Sequence, residues 1–98
     1  WINKGGFKIS CTKVELELKD ITEIQDAVVL PYADPLRGHE IAAFLVAEEQ
    51  DEALLRKKIR QELPAVDVPG RILFLETIPL NDRGKVDRPV LENLLQSR

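Results

Sequence analysis

Ile24-Gln25-Asp26-Ala27-Val28-Val29-Leu30-Pro31 and Ile41-Ala42-Ala43-Phe44-Leu45-Val46-Ala47 decide the fold, with Asp34-Pro35-Leu36-Arg37-Gly38 between them. The first is a Val-rich apolar run that ends at Pro31, and the second resumes beyond strong turn chemistry, so each reads as a strand. Two strands joined by one turn predict an antiparallel pair. The polar tract Glu48 to Asp51 breaks the second. Downstream, Leu54, Leu55, Ile59 and Leu63 recur at helical spacing and predict a helix over Glu52 to Leu63, ended by Pro64. After the connection Pro64 to Pro69, Arg71 to Thr77 reads as a third strand, with Ile72-Leu73-Phe74-Leu75 as its apolar centre. Asp87 can cap a last helix that tolerates Pro89 in its first turn and carries Val90 to Leu95. Upstream, Ile2 to Ser10 reads as two short extended pieces around a glycine turn, a β-hairpin. Ser10 or Thr12 can cap a helix from about Thr12 to Asp20, where Val14, Leu16 or Leu18, and Ile21 form the apolar stripe. Hairpin, helix, strand, strand, helix, strand, helix is an α+β order. It predicts a small three-stranded sheet covered by helices on one or both faces and preceded by a short β-hairpin.

The chain's 98 residues, 44% of them hydrophobic, suit one small domain with a single core. A net charge of −3 and a pI near 5.2, with both signs interspersed, argue against a nucleic-acid binder. No 18-residue apolar run or charged-then-apolar leader is present, so neither a transmembrane segment nor a signal peptide is expected and a cytoplasmic setting is the default. Cys11 is the single cysteine and His39 the single histidine, which leaves no internal disulfide and no zinc-ligand spacing. No metal ligands are expected. The absence of methionine and the start at Trp1 suggest a piece of a longer polypeptide.

Lys85 is the first catalytic candidate. It lies in Pro79-Leu80-Asn81-Asp82-Arg83-Gly84-Lys85-Val86-Asp87-Arg88, between the third strand and the last helix, and Gly84 permits a positive φ just before it. A long cation on a short loop held at both ends can be delivered into a pocket on another surface. His39 reads as a loop or strand-edge residue and Asp34 and Arg37 as turn formers. Arg56, Lys57, Lys58 and Arg60 read as a solvated helix face that could also meet an acidic carrier protein.

Three segments occur in order: Gly5-Gly6-Phe7-Lys8-Ile9-Ser10 with Val14-Glu15; Leu63-Pro64 with Val68-Pro69; and Pro79-Leu80-Asn81 with Gly84-Lys85-Val86-Asp87-Arg88. Together they resemble the small C-terminal subdomain of adenylate-forming enzymes, namely the acyl- and aryl-CoA synthetases, the adenylation domains of nonribosomal peptide synthetases, and the luciferases. The resemblance covers almost the whole chain and implies a single lid subdomain, residues 1–98, of a larger enzyme. It implies that a large N-terminal domain of the same polypeptide binds ATP with Mg2+ and a carboxylic acid, and that the small domain closes over it in two orientations. In the first, Lys85 would enter the active site as acyl-adenylate and pyrophosphate form, and its ammonium would stabilise charge on the α-phosphate. In the second, Gly5, Gly6, Phe7 and Lys8 would line the channel through which the thiol of CoA, or of phosphopantetheine on an acyl carrier protein, attacks. Asn3 would sit where some relatives carry a further active-site polar or basic residue.

The enzyme implied is an AMP-forming acid–thiol ligase, of which this piece alone would be inactive. A different reading is an accessory module that docks on a carrier protein or a separate adenylating subunit without catalysis of its own. Three positions depart from the family pattern. Lys13 stands where an acidic residue often precedes the Val-Glu pair, Cys11 replaces a frequent proline, and Asp67 occupies a usually apolar site.

Overall fold

The computed structural model of the chain describes all residues except 1, 5, 37, 48–51, 97 and 98. Strand β1 (Ile2–Lys4) and strand β2 (Phe7–Ile9) precede helix α1 (Cys11–Lys19), strands β3 (Ile24–Asp34) and β4 (Gly38–Ala47), and helix α2 (Glu52–Glu62). A short 3-10 turn (Ala65–Asp67), strand β5 (Arg71–Phe74) and helix α3 (Arg88–Gln96) follow. The main sheet has the order β3-β4-β5. β3 and β4 are antiparallel, Val29 facing Ala43, whereas β5 runs parallel to β4, Leu73 facing Phe44. A parallel return needs a crossover, and α2 supplies it.

β4 is apolar at every position from Ile41 to Leu45, and all five residues are fully buried. An unbroken apolar run, rather than an alternating one, is what a central strand needs when both sheet faces are covered. Side chains then sort by parity. Ala27, Val29, Ile41, Ala43 and Leu45 pack with Val14 and Leu18 of α1 and with Leu55, Ile59 and Leu63 at α2. Val28, Leu30, Ala42, Phe44 and Leu73 pack on the other face with Ile78 and with Leu91 of α3. The helices therefore cover both faces. On α1 it is Leu18, not Leu16, that completes the stripe, Leu16 being exposed. Among the described residues no helix is long and apolar enough to cross a membrane.

The structure corrects two strand boundaries. β3 does not stop at Pro31 but continues to Asp34, because β3 is an edge strand and a proline there forfeits no rung. β5 ends at Phe74 instead of Thr77, one further bond joining the Leu75 N–H to Leu45 O at 2.8 Å before the chain leaves the sheet.

Both margins of this sheet are blunted by side chains. On β3 the Ala27 N–H donates to Asp26 Oδ1 at 2.8 Å and the Val29 N–H to Glu15 Oε1 at 2.9 Å. Two residues on, in the same phase of the strand, Pro31 has no N–H to satisfy. On β5, Arg56 donates to Ile72 O at 3.2 Å and lies 5.8 Å over the Phe74 ring, so this end of the basic α2 face, though exposed, is also tied to the sheet margin. Lys58 is pinned too, 2.6 Å from Glu23, and that contact holds the Glu23 carboxyl below its usual range. Removing the Glu15 acceptor uncovers a backbone donor on a buried residue. Glu15→Ala is therefore expected to cost about 1–3 kcal/mol, read as a lower urea midpoint at unchanged slope, with Glu15→Gln losing less. Equal midpoints for wild type and Glu15→Ala would remove the capping role.

The β1–β2 hairpin forms a separate sheet, with Ile2 opposite Ile9, Asn3 opposite Lys8 and Lys4 opposite Phe7. Gly6 turns it at a φ of 88°. Ile9 enters the core beside α1, and Ser10, of the two possible caps, accepts the Lys13 N–H at 3.3 Å.

Candidate functional site

Lys85 sits on a loop whose backbone is tied at almost every residue. Leu80 and Val86 form an antiparallel bridge, and the Asp87 N–H donates to Pro79 O at 2.9 Å. Inside that neck Asn81 is the hub. Its N–H donates to Lys85 O at 2.7 Å and its carbonyl accepts the Gly84 N–H at 2.9 Å. Its side-chain Oδ1 accepts both the Arg83 N–H at 2.9 Å and the Lys85 N–H at 3.1 Å. Asn favours such side-chain turns, and Gly84 closes this one at a φ of 77°, where other residues would be strained. Asp87 then accepts the Val90 N–H at 3.4 Å and starts α3. The backbone is fixed, while the Lys85 side chain is exposed and its ammonium makes no ion pair among the described residues.

The hairpin candidates form a second patch. Asn3 and Lys8 are exposed and face each other across the ladder, Phe7 is 61% exposed, and Gly6 is at the turn. Gly5 lies outside the described residues. The structure therefore brings Asn3, Gly6, Phe7 and Lys8 together on one hairpin and sets Lys85 on another loop. No hydrogen bond or ion pair among the described residues joins the two. A cleft of about 580 Å³, lined by Tyr32, Pro35, Arg71, Glu92 and Leu95 among others, contains none of the candidates.

Nearby ionisable groups fill structural roles. Burial, and then the Glu15 carboxylate, push the half-buried Cys11 thiol up, which keeps it protonated and poorly nucleophilic at neutral pH. Two of the departures from the family pattern face each other: Lys13 Nζ lies 3.3 Å from the buried Asp67 Oδ2. Glu17 joins them from α1. Burial, then its hydrogen bond to Asp67, raise the Glu17 carboxyl, and its Oε1 is buried without a hydrogen-bond partner. Between the ordinary value of 4.5 and that raised value the folded chain binds the extra proton, so stability falls as pH rises across this window. Glu17→Gln is expected to raise the melting midpoint at about pH 8 and to change it little at about pH 4, where folded and unfolded chains both hold the proton. Thermal melts at the two pH values check it, and an equal gain at both would contradict the proton-linked origin.

Among the described residues no group of three or more His, Cys, Asp or Glu is placed to hold a metal ion. Residues 13–85 match the profile of the AMP-binding enzyme C-terminal domain. The chain belongs to that family. Lys85 is the last residue matched, and the hairpin precedes the first.

The family's relatives here are adenylate-forming enzymes, nonribosomal peptide synthetases and acyl-CoA synthetases. The chain is 31% identical over 86 residues to surfactin synthase subunit 1 of Bacillus subtilis (strain 168), a match covering 88% of this chain and 2% of that protein. It is similar to the amide bond synthetase McbA from Marinactinospora thermotolerans, with a TM-score of 0.80 and 26% identity over 95% of this chain and 19% of that one. It is also similar to holo-AB3403, a four-domain nonribosomal peptide synthetase bound to AMP and glycine, with a TM-score of 0.77 and 32% identity over 91% of this chain and 7% of that one. This AMP-binding enzyme C-terminal domain thus spans only a small part of each relative's length. Asn81, by contrast, was visible in the sequence only as part of a motif. Its role as loop hub was implicit in an Asn placed just ahead of Arg83-Gly84.

Proposed function

We propose that the chain, residues 1–98, is the mobile C-terminal lid of an ATP-dependent carboxylate-activating ligase that forms an acyl-adenylate and then a thioester. Its partner is an N-terminal domain of the same polypeptide that binds ATP and the acid. The observation that carries this reading is Lys85: a lysine at the end of the family-matched stretch, with a pinned backbone and an exposed ammonium that makes no ion pair among the described residues. In the first half-reaction a carboxylate oxygen bonds to the α-phosphorus of ATP as the bond to pyrophosphate breaks. The Lys85 ammonium, desolvated when the lid closes, offsets the negative charge that gathers on the phosphate and carboxylate oxygens. It gives up no proton and acts as an electrostatic clamp.

In the second half-reaction a thiolate sulfur bonds to the acyl carbon and AMP departs. Gly6, Phe7 and Lys8 border its path, with Gly5 and Asn3 beside them, and Lys8 balances phosphate charge. The thiol belongs either to CoA or to a phosphopantetheinyl carrier protein. Mg2+ would be carried on the phosphates of ATP by the partner domain, and no residue of this chain is assigned to it. The lid alone is inactive, because the nucleotide and acid pockets lie on the partner.

The test measures ATP–pyrophosphate exchange and thioester formation in the full-length polypeptide, with a panel of carboxylic acids that includes amino acids. Lys85→Ala should lose exchange, whereas Gly6→Trp should keep exchange and lose thioester formation on CoA or on the carrier. Exchange that survives Lys85→Ala would end the lid assignment. A tight carrier complex without either activity would instead favour a docking module.

A further inference from the structure

Glu40 is a carboxylate on the central strand β4, only 4% exposed, and the proposed chemistry makes no use of it. Its Oε1 lies 3.0 Å from Lys4 Nζ and accepts the Ile41 N–H at 2.9 Å. Lys4 Nζ also donates to Val68 O at 2.6 Å. The connection after the 3-10 turn is shaped around this pair. A Cβ at Gly70 would stand 2.4 Å from Glu40 Cγ and 2.6 Å from Cδ, so the missing side chain is the notch in which the carboxylate sits. Gly70 does not adopt a positive φ, and its N–H donates to Ile41 O at 3.0 Å. Glycine is required there for space, not for backbone conformation. Three segments far apart in sequence meet at one buried ion pair.

The position of Lys4 gives the pair its meaning. Lys4 faces Phe7 in the last rung before the glycine turn, and the next rung holds Asn3 and Lys8. The hairpin is a sheet of its own, without a rung to β3-β4-β5 among the described residues, and Lys4 ties it to the body by polar contacts, beside the packing of Ile2 and Ile9. Apolar contacts hold a hairpin down but set its direction loosely, whereas an ion pair with two acceptors fixes it. Stability alone is weak ground for such an arrangement, because apolar replacements of buried pairs are often neutral or stabilising.

We infer that the Lys4–Glu40 pair, seated in the notch at Gly70, is a positioning device that aims the hairpin turn and Lys8 at the reacting thioester centre. The inference rests on the lid reading and adds to it residues that touch neither substrate. The experiment uses the full-length polypeptide carrying Lys4→Met with Glu40→Leu, and separately Gly70→Ala, which drives the carboxylate from its notch without altering charge. ATP–pyrophosphate exchange and thioester formation on CoA and on a phosphopantetheinyl carrier are followed in each, beside Lys85→Ala. The expected result is exchange within about twofold of wild type and thioester formation lowered at least about tenfold. Equal losses in both half-reactions, or no loss in either, would overturn the positioning role. Should the double variant fail to fold, Gly70→Ala decides by the same split. If Lys85→Ala leaves exchange intact, it is the lid reading that has failed, and the two failures are thereby told apart.

Discussion

Lys85→Ala is expected to slow ATP–pyrophosphate exchange by about 10²–10³-fold, the cost of removing one preorganised donor from a site of developing charge, equivalent to about 2.7–4 kcal/mol. Folding should hardly register the change, because the side chain is exposed and the loop is held by Asn81 and by the Leu80–Val86 bridge, both of which the substitution spares. Surface changes away from such ties are usually within about 0.5 kcal/mol. The loss should fall on kcat rather than on the apparent affinity for ATP, since on the proposed lid reading the ammonium arrives with closure and its contact strengthens as charge develops. Lys85→Arg should recover only part of the rate, a planar fork on a longer stem being a poor copy of a compact point charge. Pre-steady-state and exchange kinetics on the three proteins check this. A kcat for Lys85→Ala within about twofold of wild type would refute it.

Phe44→Ala should be the most damaging core substitution, costing about 3–5 kcal/mol. The ring is fully buried on the α3 face of β4, among Val28, Leu30, Leu73, Ile78 and Leu91. Strand neighbours cannot collapse into the space without breaking the ladder. In a domain of this size the whole folding free energy is about 5–15 kcal/mol and each kcal/mol is worth roughly 4–8 °C, so the melting midpoint should drop by tens of degrees. Phe44→Leu should cost less than half as much. Function should follow, because α3 starts three residues beyond Lys85 and Leu91 is its anchor on this face. A Phe44→Ala melt within a few degrees of wild type would show that this face repacks freely.

The apolar runs at 24–30 and 41–47 made the central pair legible, because burial on both faces leaves no polar position to blur a strand. Turn chemistry made the Gly6 and Gly84 bends legible in the same way, and each has the positive φ that its glycine allows. The length of β3 was not legible. Pro31 looks like a stop in isolation and is harmless on an edge, and edge status depends on strand order rather than on local sequence. The ties between distant residues were equally hidden. Nothing near Lys4 points to Glu40, and Gly70 looks like an ordinary loop glycine until the carboxylate beside it is seen. Lys13 and Asp67 each stood out as departures, yet only the fold shows that they answer one another.

The blunted margins of the sheet bear on how such a domain can keep company. With Glu15 and Pro31 along one border and Arg56 on the other, the three-stranded sheet offers a neighbour little of either edge, which leaves more of its meetings to bends and helix flanks. Contacts of that kind come apart by rotation, without unzipping a ladder, which is the kind of meeting the proposed lid would need in order to be presented, withdrawn and presented again by a different side within a single turnover.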